Sequence, residues 1–261
     1  MDELRITTIQ THLFWEDIDE NIHHFDNKIN ELSEKTDIVV LPEMFTTGFT
    51  MNPKLFAEEQ GGKGLQWMQL KARERSCVLV GSISVKDAGN FYNRLYWVMP
   101  DGTYQCYDKR HLFQMGKEDL YYSAGIKKLI IEYKGWKIFP LICYDLRFPV
   151  WSRNRRDDIY DVLIYVANWP EVRSFPWKQL LVARAIENQA YVVGVNRIGE
   201  DGNSIAHSGD SSVINPRGEI ISKTKAHEDI SETVALSHTY LSEFRKVFPV
   251  LQDGDEFEVN P

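Results

Sequence analysis

The sequence has few cysteines: Cys77, Cys106 and Cys143 are the only ones among its 261 residues. They are widely spaced and odd in number, and no CxxC pair occurs. This pattern argues against a disulfide framework and against a cysteine-ligated zinc site. We therefore expect a reducing cytoplasm as the location, where an isolated cysteine belongs to the core or to a catalytic site.

A long apolar run is also missing. Nowhere do about 18 or more apolar residues follow one another, so we expect no membrane-spanning helix. The first residues, MDELRITTIQTHLFWED, contain no basic segment followed by an apolar one. We therefore expect neither a signal peptide nor a membrane partner.

Positive charge is in short supply. The chain carries 30 Lys and Arg against 38 Asp and Glu, a formal net charge of −8. Because proteins that bind nucleic acid usually present a basic surface, we expect no nucleic-acid partner. Repeats, low-complexity segments and linkers are not apparent either, so the length predicts one domain over residues 1–261.

Short apolar runs typical of buried strands alternate with helical patterns. Apolar spacing predicts helices over 21–35, 65–75 and 177–189. Strands are predicted over 4–11, 37–43, 77–85, 94–102, 137–145, 161–169, 191–199, 211–219 and 232–237. Turn signals at PDG and NPRG indicate that some strands pair as hairpins. The sequence thus predicts an α/β layered fold with mixed sheets.

Four of these strands end in or near a polar or reactive side chain: Glu43, Cys143, Asn168 and Asn196. Ligands of α/β sheets bind at the carboxyl ends of strands, so these side chains could face one pocket. Structural alternatives stay open for each of them. The two asparagines could bond their own backbone at turns, Glu43 could stabilise a helix start, and the thiol could be inert core.

Lys109, in the segment DGTYQCYDKRHLFQMGK, adds a cation to this set. A cation near Cys143 would lower the pKa of its thiol and favour the thiolate. A nearby Glu43 could take the thiol proton and later activate water. These residues predict a nucleophilic site in which Glu43 is the base and Lys109 an electrostatic stabiliser. A Cys–His pair that uses His207 is the main mechanistic alternative.

Three segments, LPEMFTTGF at 41–49, YDKRHLF at 107–113 and LICYDLRFP at 141–149, resemble the signature segments of the nitrilase superfamily of carbon–nitrogen hydrolases. Their order and spacing fit as well, and the similarity runs from about residue 4 to 237. The resemblance implies a four-layer α-β-β-α sandwich that forms a homodimer and uses no metal or organic cofactor. The tail from about residue 242 then is either an arm packed on the partner subunit or a solvated end.

Motif by motif, the resemblance places the family's catalytic residues on Glu43, Lys109 and Cys143. It implies that Glu118 bonds the lysine and orients the substrate. It also implies that Lys109 and the backbone N–H of Tyr144 stabilise the oxyanion. The implied reaction is hydrolysis of an amide through a thioester on Cys143, with release of ammonia.

The Cys-Tyr-Asp sequence at 143–145 resembles that of the amidase branches, whereas true nitrilases carry Cys-Trp-Glu at this place. MFTTGF, CYDLRFPVWSRN and the stretch from 167 to 199 most resemble bacterial omega-amidases. This implies a small-molecule substrate with a terminal amide and a distant carboxylate, such as 2-oxoglutaramate or 2-oxosuccinamate. The carboxylate needs a cation, for which we expect Arg147 first and Arg173 second. An internal salt bridge is the alternative for Arg147.

Aromatic and amide side chains are expected to line the pocket, although each could equally be packing. They are Phe45, Tyr144, Asn168, Trp169 and Phe175. Other functions stay open at this stage. They include an N-carbamoyl amino acid amidase or a carbamoylputrescine amidase with the same triad, a deaminated-glutathione amidase, and a non-catalytic binding domain of the same fold.

Overall fold

The computed structural model describes residues 2–155 and 159–259. Its strands are β1 (Glu3–Gln10), β2 (Ile38–Val40), β3 (Glu58–Glu59), β4 (Val78–Asp87), β5 (Asn90–Val98), β6 (Tyr104–Asp108), β7 (Ile131–Tyr133), β8 (Trp136–Ile142), β9 (Val162–Ala167), β10 (Tyr191–Asn196), β11 (Ile198–Glu200), β12 (Ala206–Ser208), β13 (Ser212–Ile214) and β14 (Ile230–Ser237). Its α-helices are α1 (Ile18–Asn30), α2 (Pro53–Phe56), α3 (Lys63–Arg75), α4 (Pro149–Ser152), α5 (Ser174–Asn188) and α6 (His238–Val247).

Two mixed sheets form the centre of the molecule. The first has the order β14-β1-β2-β4-β5-β6, with β3 also paired to β4, and the second has the order β13-β10-β9-β8-β7. In the first sheet β1, β2 and β4 run parallel, and β14 and β5 pair antiparallel at either side of them. In the second sheet β8, β9 and β10 run parallel between antiparallel β7 and β13.

Side chains of β2 alternate between two hydrophobic clusters. Ile38 and Val40 belong to the cluster between the two sheets, whereas Val39 packs with α1 and α3 on the other face. Successive side chains of a strand point to opposite faces, so both faces of this sheet are covered. Helix α5 covers the second sheet through Trp177 and Leu181. The layers are therefore helix, sheet, sheet and helix, which confirms the predicted α-β-β-α sandwich.

The predicted elements are present with shifted ends. The first and third predicted helices begin three residues earlier than expected, at Ile18 and Ser174, and the second begins two residues earlier, at Lys63. The PDG signal joins β5 to β6 as a hairpin. Strands β3, β6, β7 and β12 were not predicted. Strand β6 has exposed side chains on both faces, and the other three have only two or three residues each.

Helix α6 packs on its own chain. Its Arg245 donates to the Asp161 carboxylate at 2.8 Å and to the Tyr160 carbonyl at 2.6 Å, both at the start of β9. The side chain of Gln189 donates to the Phe248 carbonyl at 2.7 Å just after the helix. Beyond it the chain has a short 3₁₀ turn and an extended end, whose last two residues lie outside the described ranges. Across the described residues no helix is both long and apolar enough to cross a membrane.

Helix α5 lies very close to β10 at Gly194. A Cβ atom at that glycine would come within 2.5 Å of a methyl carbon of Leu181 and 3.0 Å of the Trp177 ring. Glycine is required there because the helix lies so close to the strand. The backbone conformation of Gly194 does not itself require glycine, because its φ is not in the left-handed region. The contact fixes the helix over the strand that ends next to the candidate site.

Replacing Leu181 by Ala should lower the free energy of unfolding by about 2–5 kcal/mol, because it leaves a cavity between α5 and β10. Urea or guanidinium denaturation measures this. Leu180→Ala is the matched control, since Leu180 is only partly buried on the same helix. Equal losses for the two variants would contradict this packing.

Candidate active site

The ends of several strands converge on one cavity. Glu43 follows β2, Lys109 follows β6, Cys143 follows β8 and Asn168 follows β9. All four line a cavity of about 140 Å³. The rest of its wall is formed by Phe49, Met51, Phe113, Gly116, Tyr144, Arg147, Trp169, Pro170, Arg173, Asp201, Asn203, Ile205 and His207.

Two of the lining residues, Glu43 and Lys109, belong to a cluster of three buried charged side chains, and the third is Glu118. Lys109 Nζ lies 2.8 Å from Glu43 Oε1 and 2.9 and 3.1 Å from the two oxygens of Glu118. All three side chains are fully buried. The structure thus brings together the two glutamates and the lysine that the sequence predicted, and Cys143 lies beside them.

Both carboxylates are held by further hydrogen bonds. Asn93, on β5, donates to Glu43 Oε1 at 2.8 Å and to Glu118 Oε1 at 3.2 Å. The backbone N–H of Asn168 donates to Glu43 Oε2 at 2.8 Å, and that of Phe113 donates to Glu118 Oε2 at 2.7 Å. These donors fix the orientation of both acids. Sequence reasoning missed Asn93, although a polar residue in an otherwise buried strand was the available signal.

Cys143 begins a tight turn. Its φ is +42°, a left-handed conformation that side chains other than glycine rarely adopt, and it starts a 3₁₀ helix over Cys143–Arg147. Asp145, fully buried, stabilises this turn by accepting from the backbone N–H of Ile142 at 3.0 Å and from the Tyr107 hydroxyl at 2.8 Å. His111 adds a contact of 2.8 Å from Nδ1 to Asp145.

The surroundings of the Cys143 thiol favour its protonated form. Burial raises its pKa well above the usual value, the Glu43 carboxylate raises it further, and Lys109 acts in the opposite direction. Lys109 thus acts in the direction that the sequence predicted, but burial and Glu43, whose effects were not visible in the sequence, outweigh it. The thiol lies within hydrogen-bonding reach of Glu43, so the carboxylate can accept its proton.

Lys109 remains a cation. Burial works to lower its pKa, but Glu118 and Glu43 raise it more strongly, and the net pKa lies above the usual value. The pKa of Glu118 is raised, mainly by burial, with Lys109 acting against this. An ammonium that stays charged in a dry site can stabilise negative charge that develops on a substrate oxygen.

The two predicted carboxylate-binding arginines lie on the wall of the cavity. The Arg147 guanidinium lies 4.8 Å from the centre of the Trp169 ring, and that of Arg173 lies 5.4 Å from the centre of the Phe113 ring. Within residues 2–155 and 159–259, neither arginine has a carboxylate at ion-pair distance. In the described structure Arg147 therefore has no partner for the internal salt bridge that was the alternative interpretation.

The two asparagines differ in position. Asn168 lines the cavity and its side chain donates to the Glu43 carbonyl, which ties β9 to the loop after β2. Asn196 does not line the cavity. Its Oδ1 accepts from the Trp169 N–H at 2.8 Å and its amide donates to the carbonyls of Trp169 and Gly209, so it supports the pocket loop from behind.

Two of the predicted aromatic contacts are corrected by the structure. Phe45 is fully buried and packs between Phe25 and Trp67 in the cluster under α1 and α3. Its backbone N–H bonds the Ser82 carbonyl after a left-handed residue at Met44, and the side chain lies in the core and not in the cavity. Phe175 is 71% exposed on the outside of α5. Tyr144 and Trp169 do line the cavity.

His207 lines the same cavity on the strand β12. No hydrogen bond joins it to Cys143 in the part of the chain that the structure describes. The geometry therefore favours Glu43 over the predicted alternative, His207, as the proton acceptor of the thiol.

One group of residues has the donor atoms for a metal ion. Within the described ranges, His12, His24 and Asp229 place ligand atoms within 4.8 Å of one another. None of the three lines the cavity, and Lys28 already pairs with Asp229. A cation at that point opposes the binding of a second cation.

The fold and the site define a class. The carbon–nitrogen hydrolase family matches residues 5–245, which is most of the chain. This chain therefore belongs to the carbon–nitrogen hydrolase family, within the nitrilase superfamily, and it is a hydrolase of carbon–nitrogen bonds. The assignment confirms the family that the three sequence segments predicted.

Individual relatives narrow the comparison. The chain is 48% identical to the omega-amidase YafV of Escherichia coli over 99% of this chain and 100% of that protein. It is 35% identical to the 2-oxoglutaramate amidase of Bacillus subtilis over 90% and 91%. A crystal structure of a CN-hydrolase superfamily protein from Xanthomonas campestris, which has an arsenic adduct in its active site, superposes with a TM-score of 0.97 at 40% identity and 100% coverage of both chains.

Replacing Glu43 by Gln should shift the pH profile of Cys143 alkylation by iodoacetamide to lower pH. The carboxylate raises the pKa of the thiol, so a neutral amide in its place releases the proton more easily. Peptide mass spectrometry of Cys143 separates it from Cys106, which is exposed. Glu59→Gln, at an exposed site, serves as the control. An unchanged or higher midpoint in Glu43→Gln would contradict the assigned proton acceptor.

Proposed function

We propose that this chain is an omega-amidase that hydrolyses the terminal amide of a small 2-oxo acid, such as 2-oxoglutaramate or 2-oxosuccinamate. The observation that carries the proposal is that one small cavity holds both a nucleophilic group and cations. Its lining includes the Cys143 thiol beside Glu43 and Lys109, and also Arg147 and Arg173, which have no carboxylate at ion-pair distance among the residues that the structure describes. The names of the relatives from Escherichia coli and Bacillus subtilis support the same substrate class.

In the acylation step, Glu43 takes the proton of the Cys143 thiol while the sulfur attacks the amide carbon. Lys109 Nζ and the backbone N–H of Tyr144 receive the oxyanion. Tyr144 lies in the first turn of the 3₁₀ helix, where N–H groups have no acceptor within the helix. Glu43 then passes its proton to the amide nitrogen, the carbon–nitrogen bond breaks, and ammonia departs. The acyl group of the substrate stays bound to Cys143 as a thioester.

Deacylation reuses the same groups. Glu43 takes a proton from a water molecule as that water attacks the thioester carbon, and Lys109 and the Tyr144 N–H again hold the oxyanion. The carbon–sulfur bond breaks and the proton returns to the sulfur, which restores the thiol and releases the free acid. Glu118 acts as a positioning residue in both steps, because both of its carboxylate oxygens bond Lys109 Nζ.

The cavity favours a small anionic substrate. Its volume of about 140 Å³ is low beside the roughly 300–1,000 Å³ of pockets that hold drug-sized ligands. This disfavours a substrate as bulky as deaminated glutathione. The Arg147 and Arg173 guanidinium groups on the wall favour a carboxylate at the far end of the substrate from the amide, as a 2-oxo dicarboxylic monoamide has.

The panel of 2-oxoglutaramate, 2-oxosuccinamate, glutamine, an N-carbamoyl amino acid and a simple nitrile separates the candidate functions. We expect rapid ammonia release from the two 2-oxo acid amides only. Cys143→Ala should lower this rate by about 10⁴-fold or more while circular dichroism shows a folded protein. Release of both ammonia and carbon dioxide from the carbamoyl compound, without reaction of the 2-oxo amides, would move the protein to the carbamoylase branch.

Replacing Arg147 by Lys should raise KM for 2-oxoglutaramate by about tenfold or more, since an ammonium cannot reproduce a bidentate guanidinium contact. KM for a neutral amide such as butyramide should stay within about twofold. Arg73→Lys, on an exposed part of α3, is the control for the loss of a guanidinium. Equal increases for the charged and the neutral amide would rule out a carboxylate contact at Arg147.

We also propose a cytoplasmic location and a homodimer. Three unpaired thiols suit a reducing compartment. The outer side of α5 exposes Phe175 and Ile186, which are apolar side chains that a second subunit could cover.

A further inference from the structure

His207 is a buried polar residue that the reaction described above does not use. It lies on β12, paired with Gly199 of β11, and only 3% of its surface is exposed. The hairpin of β11 and β12 supplies the wall of the cavity that also contains Asp201, Asn203 and Ile205. The imidazole is therefore placed in the substrate cavity by a rigid pair of strands.

The ring lacks a full set of hydrogen bonds. Nδ1 of His207 is buried and has no hydrogen-bond partner among the described residues. A buried polar atom without a partner costs about 1–3 kcal/mol, and most such atoms in native proteins are satisfied. Nδ1 itself is shielded from the cavity, so a ligand meets the ring through the small exposed part that lines that space.

The imidazole is neutral at physiological pH. Burial lowers the pKa of His207 to about 4, and the nearby Arg197 guanidinium also lowers it. Arg197 is itself fully buried, with no carboxylate at ion-pair distance within residues 2–155 and 159–259. The Asp201 carboxylate raises the pKa of His207 and so opposes the effects of burial and of Arg197. Its Oδ1 already accepts from the backbone N–H groups of Asn203 and Ile205.

A neutral imidazole suits a neutral oxygen of the substrate better than a carboxylate. It can donate one hydrogen bond to a carbonyl, whereas Arg147 and Arg173 supply the charge that a carboxylate requires. The positive charge of Arg197 next to the ring also disfavours an ammonium group at this position. Glu43 and Lys109, which line the same cavity, are engaged with each other.

We propose that His207 is a specificity-determining residue that hydrogen-bonds the 2-oxo oxygen of the substrate. This inference rests on the proposed function, since it assumes a 2-oxo acid amide in the cavity. A hydrogen bond from His207 to the oxo group distinguishes such substrates from amides of the same length that lack the oxo group or carry an amino group in its place.

The test compares 2-oxoglutaramate with glutaramate, which has the same carboxylate and amide but no oxo group, and with glutamine. The native protein should have a kcat/KM for 2-oxoglutaramate at least tenfold above that for either analogue. His207→Leu should lose at least tenfold in kcat/KM for 2-oxoglutaramate, mainly through KM, and change less than threefold for glutaramate. His207→Asn or His207→Gln, which keep an amide near one ring nitrogen, should recover part of the loss for the oxo substrate.

Ala206→Ser is the matched control, because Ala206 is an exposed neighbour on the same strand. Its parameters should equal those of the native protein. An equal loss for both substrates in His207→Leu, or a collapse of kcat on both, would overturn the proposal in favour of a structural or general-base role. No change in His207→Leu would overturn it as well. If the native protein does not hydrolyse 2-oxoglutaramate, the proposed function itself is wrong. The native protein is assayed before any variant, so this outcome is distinguished from a failure of the His207 proposal.

Discussion

The buried contact between Lys109 and two glutamates is the constraint on which the rest of the site depends. Taking charges out of water costs several kcal/mol per ion, and only close pairing with good hydrogen bonds offsets this. Lys109 meets Glu43 and Glu118 at 2.8 and 2.9 Å, and Asn93 bonds both acids. The cluster joins the loop after β2 to β5 and to the segment after β6. The fold must therefore hold these three elements in fixed positions around it.

The same cluster sets the chemistry of the thiol. Burial, together with the two acids around one ammonium, raises the pKa of the Cys143 thiol, and this makes a base necessary at the moment of attack. Glu43 is within reach of that proton, while Glu118 is held by the backbone N–H of Phe113 and by Asn93, and it does not line the cavity. Two similar carboxylates thus acquire different tasks because of what each one touches.

Charge is distributed unevenly along the cavity. Its lining contains the paired ions Glu43 and Lys109, and it also offers guanidinium groups from Arg147 and Arg173 without carboxylate partners among the described residues. The hairpin of β11 and β12 adds a neutral imidazole. This arrangement provides different partners for an amide, a carboxylate and a carbonyl, and a substrate that carries all three is the one that it fits best.

The sequence predicted the layers and the strand ends well, because burial on both faces of a strand and a polar residue directly after it are local signals. Glu43, Cys143 and Asn168 could be found in this way, and the segments that resemble the family pointed to Lys109 and Glu118. What it missed depends on three-dimensional contacts. The core position of Phe45 follows from the backbone reversal at Met44, and the raised pKa of Cys143 follows from burial. The partnership of Asp145 with His111 and Tyr107 joins residues 34 and 38 positions apart.

A crystal structure of Cys143→Ala with 2-oxoglutaramate bound would test the central claim most directly, since the variant can bind but cannot form the thioester. The account predicts the amide oxygen at Lys109 Nζ and the Tyr144 N–H, with the carboxylate at Arg147 or Arg173. A substrate bound the other way round, with its carboxylate at Lys109 and its amide at the arginines, or bound outside the cavity, would contradict it.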